Sequence, residues 1–221
     1  MSAYAVPPRG EIIMGWSGNA DHGFGFTTVQ PALVRGEDGQ AAFLFRATVS
    51  ELYYSFITDG QLHLIRSPGL AAGPGIAITE GPFGLSASVG LEARRPTPDL
   101  RVVFDANLAG GVSWRPAGRA SVYAQTSFSA VQQNVWLRAG AMMPVFPIAP
   151  RDTAASLWLG LETTRVGSGP NQVQEVGAVA EVPIRDLHAA INVRAGVAFQ
   201  ELGRNVVRRG TVGIGLYWSY Y

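Results

Sequence analysis

This sequence contains stretches in which small or polar residues alternate with apolar ones, and ionisable side chains of both signs occur among the small or polar positions. Glu92 follows Ser86 and Ser88 at even spacing, and Glu162 follows Ser156. A charge away from water costs several kcal/mol unless it is paired, so such residues either form ion pairs or line a watery passage that selects solutes. The residues that we assign to one of these roles are Arg46, Glu92, Asp105, Arg138, Glu162, Glu175, Glu181 and Arg194, with Glu11 and Arg209 on the same alternation.

Few residues offer catalytic chemistry. The histidines are His22, His63 and His188. Asp21 and His22 form a possible acid–base or metal-binding pair, but they are adjacent in a Gly- and Asn-containing loop, where such residues are more often solvated. Asp105 and Glu162 would suit glycoside hydrolysis if their carboxyl groups lay about 5–10 Å apart. No G-x-S-x-G motif supplies a nucleophile, so we predict a protein that is not an enzyme, without catalytic residues, metal or cofactor.

The tryptophans fall on two kinds of position. Trp136 alternates with Arg138, and Trp158 alternates with Glu162, so both indoles are candidates for stacking on sugar rings. The remaining tryptophans and one tyrosine alternate with apolar residues, which suits an interfacial girdle between acyl chains and water. This girdle comprises Trp16, Trp114, Trp218 and Tyr220.

The elements that must position these side chains are β-strands. In RVVFDANLAGGVSWR, residues 101–115, Phe104 and Trp114 fall on even-numbered positions, whereas Asp105 and Asn107 fall on odd-numbered positions. Successive side chains of a strand point to opposite faces, so this segment has one apolar face and one small or polar face. Gly-, Pro-, Asn- and Asp-rich turns divide similar segments into about twelve strands. An even number is typical of a bacterial single-chain outer-membrane barrel.

Proline makes two stretches exceptions to this pattern. PVFPIAPRD, residues 144–152, is typical of a turn. Residues 61–80, which contain RSPGLAAGPG, fit either one bent strand or two short strands.

Composition indicates which face is wet. Only 15% of the 221 residues are charged, whereas 47% are hydrophobic and 27 are glycine. A soluble sandwich or lipocalin-like barrel would expose far more charge, whereas a membrane barrel turns its apolar face to lipid. The net charge of +1 without basic clusters argues against nucleic acid, and the lack of cysteine suits an oxidising compartment. We predict an all-β, closed antiparallel transmembrane barrel in a bacterial outer membrane, one domain over residues 1–221, with a short N-terminal periplasmic segment at residues 1–9.

The sequence ends in GIGLYWSYY, a run unusually apolar for a chain end. It resembles the C-terminal assembly signal of outer-membrane barrels, in which a glycine precedes two alternating aromatic residues. Gly215, Trp218 and Tyr220 fit this signal, whereas Gly213 replaces a polar residue and Tyr221 adds one position. The predicted partners are outer-membrane lipid and, through this last strand, the barrel-assembly machinery.

Four further segments resemble the BcsS-type cellulose-biosynthesis outer-membrane family of bacteria. They are GEDGQAAFLFRATVSELYYSF at 36–56, GVSWRPAGRASVYAQTSFS at 111–129, LGLETTRVGSGPNQVQEVGAVAE at 159–181, and the final GTVGIGLYW. The resemblance implies a β-barrel associated with cellulose or another exopolysaccharide, with polysaccharide or secretion-complex proteins as partners.

Three functions are compatible with these patterns. The leading interpretation is a narrow pore or an exopolysaccharide-associated channel or accessory protein, because polar side chains would line its interior. The second is a structural or docking barrel with a plugged lumen, whose loops hold secretion partners. The third is an outer-membrane enzyme that acts on lipid or glycan, which would require catalytic roles for residues such as His22 or Asp105.

Overall fold

Twelve strands account for almost all of the chain that the structure describes. The computed structural model describes residues 9–36, 39–58, 61–95, 101–116, 120–130, 133–149, 152–168, 171–202 and 205–220. The strands are β1 (Gly10–Gly18), β2 (His22–Arg35), β3 (Ala41–Thr58), β4 (Gln61–Glu80), β5 (Phe83–Arg94), β6 (Val103–Trp114), β7 (Ser121–Ser129), β8 (Asn134–Ala149), β9 (Asp152–Ser168), β10 (Asn171–Ile184), β11 (Ala189–Leu202) and β12 (Asn205–Tyr220). A short 3-10 helix, Arg185–Leu187, precedes β11. No helix among these residues has the length and hydropathy needed to cross a membrane. Most of the predicted N-terminal segment, and Tyr221, lie outside the described residues.

The strands form one closed antiparallel ring. Each strand pairs with its neighbours in the sequence, and β1 pairs with β12 from Gly10 opposite Tyr220 to Gly18 opposite Val212. Closure gives every strand two partners, so no edge is left unpaired. The predicted closed barrel of about twelve strands is confirmed. We call the end where β1 begins and β12 finishes the terminal end, and the other end the distal end.

The two proline-containing stretches are both strands. Residues 61–80 form β4 as one strand, which pairs with β3 along its length. The turn predicted at residues 144–152 is wrong for most of that stretch, because β8 continues to Ala149. Its pairing with β9 shifts register between Pro144 and Phe146 and again after Pro147. These bulges absorb prolines that cannot donate to a regular ladder.

Apolar side chains cover the outside of the barrel. Phe104 is 73% exposed and Leu91 is 72% exposed, whereas Glu92, which follows Leu91 on β5, is only 3% exposed. A soluble protein has the opposite arrangement, with charged groups in water and large apolar groups inside. The outer surface therefore fits the hydrocarbon region of a membrane.

Aromatic side chains border the apolar surface at the terminal end. The rings of Trp218 and Tyr220 lie 6.0 Å apart on β12, and Trp114 of β6 lies 6.5 Å from Phe83 of β5. Trp16 is 38% exposed on the same outer face of β1, nearer the distal end. The aromatic side chains at the terminal end have positions typical of an interfacial girdle, whereas Trp16 lies opposite Ile214, near the middle of β12.

Two pairs of facing glycines allow neighbouring strands to approach closely. A Cβ on Gly73 of β4 would lie 2.4 Å from the Cα of Gly90 on β5, and a Cβ on Gly196 of β11 would lie 2.7 Å from the Cα of Gly177 on β10. Glycine permits such close approach of two backbones. The two close approaches lie on opposite sides of the ring.

We expect Gly196→Ala to lower the free energy of unfolding by about 1–3 kcal/mol, because the added methyl group forces the paired backbones apart. The matched control is Gly210→Ala on β12, where a Cβ would meet nothing within 4 Å. Denaturant unfolding of the folded barrel, followed by tryptophan fluorescence, measures both changes. Equal stability of the two variants would contradict a close approach at Gly196.

Candidate functional site

A carboxylate inside the barrel holds two guanidinium groups. Arg138 Nε of β8 lies 2.5 Å from Glu162 Oε2 of β9, and Arg194 Nη1 of β11 lies 3.2 Å from Glu162 Oε1. Tyr123 of β7 donates its hydroxyl to the same carboxylate, and Asn192 Oδ1 accepts from Arg194 Nη2 at 2.9 Å. We call this set the Glu162 network; it comprises Arg138, Glu162, Arg194 and Tyr123. In it, one carboxylate forms ion pairs with two guanidinium groups.

Glycines make room for the Glu162 network. Gly140 and Gly177 lie directly opposite Glu162 on the two neighbouring strands. A Cβ on Gly140 would lie 2.7 Å from the Tyr123 hydroxyl oxygen, and one on Gly213 would lie 2.6 Å from Arg194 Cγ. The long charged side chains occupy the space that these residues leave free.

A second carboxylate collects hydrogen bonds on the other side of the lumen. Arg94 Nε lies 2.5 Å from Glu92 Oε1, and Asn107 donates to Glu92 Oε2 at 3.0 Å. Ser129 also donates to this oxygen, while Arg94 Nη2 donates to Ser50 Oγ at 2.9 Å. Glu92, Arg94, Asn107 and Ser129 form the Glu92 network. Asp105, 4% exposed, lies directly opposite Glu92 in the β5–β6 register.

Glu175 of β10 lies between a serine and a histidine. Ser17 Oγ donates to Glu175 Oε2 at 2.7 Å, and His22 Nε2 lies 3.4 Å from Glu175 Oε1. The loop placement of His22 is wrong: it is the first residue of β2 and is 1% exposed. Asn19 Oδ1 accepts hydrogen bonds from the backbone N–H groups of Asp21 and His22, which tightens the turn and directs His22 inward. A serine nucleophile needs the histidine as its immediate base, whereas here the carboxylate occupies the central position.

The other predicted interior residues make smaller sets of contacts. Arg46 Nε lies 3.4 Å from Thr48 Oγ1, and Arg115 Nη2 lies 3.0 Å from Glu181 Oε1. Glu11 accepts from the Tyr217 hydroxyl at 2.6 Å. At the distal rim, Arg209 lies 2.9 Å from Asp21.

Aromatic side chains from opposite walls meet inside the lumen. The ring of Trp136 on β8 lies 5.7 Å from that of Phe24 and 5.5 Å from that of Phe26, both on β2. These strands face each other across the ring. The contact is extended by Leu52 and Tyr54 from β3 and by Val166, Val173 and Ala198 from β9–β11. We call these eight residues the plug.

Two small cavities lie beside the plug. One, of about 10 Å³, is lined by Trp136, Ser17 and Glu175, and an adjoining one, of about 20 Å³, is lined by Glu162 and Arg194. Volumes of this size hold about one water molecule each.

No family model and no curated protein matches this chain. LpxR from Salmonella typhimurium matches with a TM-score of 0.55 at 10% identity, over 95% of this chain and all of that chain. The β domain of the Bordetella autotransporter BrkA matches with a TM-score of 0.51 at 11% identity, over 96% of this chain and all of that domain. Both are outer-membrane barrels. This chain has the fold of an outer-membrane β-barrel.

A third solved structure, from work on the in-meso crystallization of membrane proteins, agrees with this fold. Its TM-score is 0.53 at 10% identity, over 96% of this chain and 83% of that chain. Identities this low show the fold alone. None of these structures is a BcsS-type protein, so that resemblance stays a prediction.

The structure adds residues that the sequence interpretation missed. Arg94 lies two residues after Glu92 on β5 and is 8% exposed. The alternation of inward and outward side chains could therefore have identified Arg94 as an interior residue. Tyr123 was on the polar parity, but alternation alone could not join it to Glu162. Within the described ranges, no group of three or more His, Asp or Glu side chains could hold a metal ion.

The two tryptophans proposed to stack on sugars are covered by protein groups. Trp158 is 5% exposed, packs with Met142 and Val179, and has the guanidinium carbon of Arg115 at 4.7 Å from its ring centroid. Trp136 lies in the plug. Sugar stacking stays a prediction, and it would require both sets of contacts to open.

Proposed function

We propose that this protein is a non-enzymatic outer-membrane barrel with a sealed lumen, acting as a structural or docking element and not as a solute pore. The observation that carries the proposal is the contact of Trp136 with Phe24 and Phe26 across the lumen. Large aromatic rings that touch across the lumen narrow any passage between the described side chains at that level.

The burial of the interior charges also supports a seal. Glu92, Glu162 and Arg138 are 3%, 6% and 8% exposed. In a conducting pore, water and ions reach such side chains, because the pore discriminates by direct contact with the solute. Here the charges form ion pairs with one another instead, and these pairs connect side chains of different strands, as Glu162 of β9 does with Arg138 of β8 and Arg194 of β11.

Two arguments favour the sealed docking barrel over an enzyme and over a pore. The hydroxyl of Ser17 donates to Glu175 and not to a histidine, so Ser17 does not form the Ser–His pair of a serine hydrolase. A pore would require the plug to move aside. The exopolysaccharide association implied by the BcsS resemblance fits a docking role, with secretion-complex proteins as the partners to seek by pull-down from a cell envelope.

We expect the refolded wild-type protein to produce no discrete conductance steps in a planar bilayer. Insertion is established separately, by protease protection of the barrel in vesicles made from the same lipid. Regular steps from inserted wild-type protein would overturn the sealed-lumen proposal and favour the narrow pore.

A further inference from the structure

Two arginines stand on the outer face of the barrel in one row across four strands. Arg165 of β9 is directly opposite Gln174 of β10, Gln174 is opposite Phe199 of β11, and Phe199 is opposite Arg208 of β12. Arg165, Gln174 and Arg208 are exposed, and Phe199 is 36% exposed. We call these four residues the distal row.

The distal row lies towards the distal end of the apolar surface. Towards the terminal end, the same outer face carries Leu161, Val197 and Val212, which are 70%, 42% and 59% exposed. On β12, Val206 continues the apolar face beyond Arg208 and is 60% exposed, so the row lies within the distal margin of the lipid-facing surface. A charged side chain on the lipid face is tolerated near the interface but not at the midplane, so this is the depth at which arginine can contact lipid head groups.

Contacts with neutral neighbours hold both guanidinium groups at this margin. Arg165 donates to Gln172 Oε1 from Nε at 2.8 Å and also from Nη2. The guanidinium carbon of Arg208 lies 5.8 Å from the centroid of the Phe199 ring. Neither contact neutralises the charge, and a guanidinium has further N–H donors for an anion.

Another outward arginine has a different environment. Arg66 Nη1 of β4 lies 3.7 Å from Glu51 Oε1 of β3, so this pair is neutral overall. Among the side chains that the structure describes, no carboxylate lies within 4.0 Å of Arg165 or Arg208. Arg165 and Arg208 therefore differ from Arg66 in having no described carboxylate close enough to offset their charge.

We propose that the distal row binds the phosphate groups of an anionic lipid head group in the leaflet at the distal end. Arginine matches phosphate oxygens with paired N–H donors. Adjacent strands are about 4.8 Å apart, so the Cα atoms of the two arginines are separated by at most about 14 Å. This spacing suits a head group that carries two phosphates. The acyl chains of the same lipid would then contact Leu161, Val197 and Val212.

The test measures binding of diphosphoryl lipid A to the refolded full-length barrel in a non-ionic detergent, by native mass spectrometry. Arg165→Gln/Arg208→Gln is expected to weaken binding about 30-fold, because each arginine near a membrane surface contributes about one kcal/mol. The matched control is Arg66→Gln, which removes an outward arginine already paired with Glu51 and is expected to change binding less than about threefold.

Two results would overturn the proposal. One is a double variant that binds diphosphoryl lipid A as tightly as the wild type, or no more weakly than Arg66→Gln. The other is displacement of the lipid by millimolar inorganic phosphate, which would indicate a site for free phosphate. All three substitutions face outward, so tryptophan fluorescence of the folded state is expected to be unchanged and serves to check folding.

Discussion

Glu162→Gln is expected to lower the free energy of unfolding by about 3–5 kcal/mol, because it leaves Arg138 and Arg194 in the lumen without their shared carboxylate. The substitution keeps the size of the side chain and one acceptor oxygen, so packing changes little. What is lost is the charge that lies 2.5 Å from Arg138 Nε and 3.2 Å from Arg194 Nη1. Tyr123 retains an acceptor, but a neutral one.

Denaturant unfolding of the barrel in lipid vesicles measures this loss. The matched control is Glu51→Gln, which breaks the outward Glu51–Arg66 pair, where both side chains are at least half exposed. Exposed ion pairs contribute about 0–1 kcal/mol, so the control should change stability by no more than that. Removing Arg138 together with Glu162 is expected to restore part of the loss, since residues in one network are energetically coupled. Equal effects of Glu162→Gln and Glu51→Gln would show that the Glu162 network does not stabilise the barrel.

Phe26→Ala/Trp136→Ala is expected to produce discrete conductance steps in a planar bilayer, where the wild type is expected to be silent. The two substitutions remove rings that meet across the lumen at 5.5 Å. They also join the space so created to the cavity beside Ser17 and Glu175. Truncation of a buried aromatic side chain costs about 3–5 kcal/mol, so a loss of stability should accompany the conductance.

The control for this experiment is Trp114→Ala, which removes a ring of similar size from the outer face. Trp114 is 37% exposed towards lipid, so this variant should remain silent. If the double variant inserts and remains silent, the plug is not what seals the lumen. If it fails to fold, Trp136→Ala alone provides the same test with one side chain removed.

The architecture could be predicted from the sequence because it depends on local patterns. Alternation in residues 101–115 assigns each side chain to one face, and turn residues mark the strand ends. The shortage of charge then decides that the apolar face is the outer one. The same reasoning gives the inward positions of Glu92 and Glu162, since these follow from parity alone.

The partners inside the lumen could not be predicted in this way. Parity places Trp136 on the inner face, but whether it meets Phe24 and Phe26 depends on the register of every strand pair and on the shape of the cross-section. His22 was misplaced because GNADHG resembles a loop, whereas a three-residue turn held by Asn19 lets β2 begin at once. The bulges at Pro144 and Pro147 were missed because only the pairing with β9 shows that the strand continues.

The facing glycines have a consequence for how such a protein can change its permeability. The diameter of a round barrel grows with the number of strands, and it also depends on local strand spacing, which is tight where Gly73 approaches Gly90 and Gly177 approaches Gly196. A side chain at any of these glycines would force the paired backbones apart and widen the ring at that point. An outer membrane could thus acquire a leak from a few single-residue changes, with no strand gained or lost.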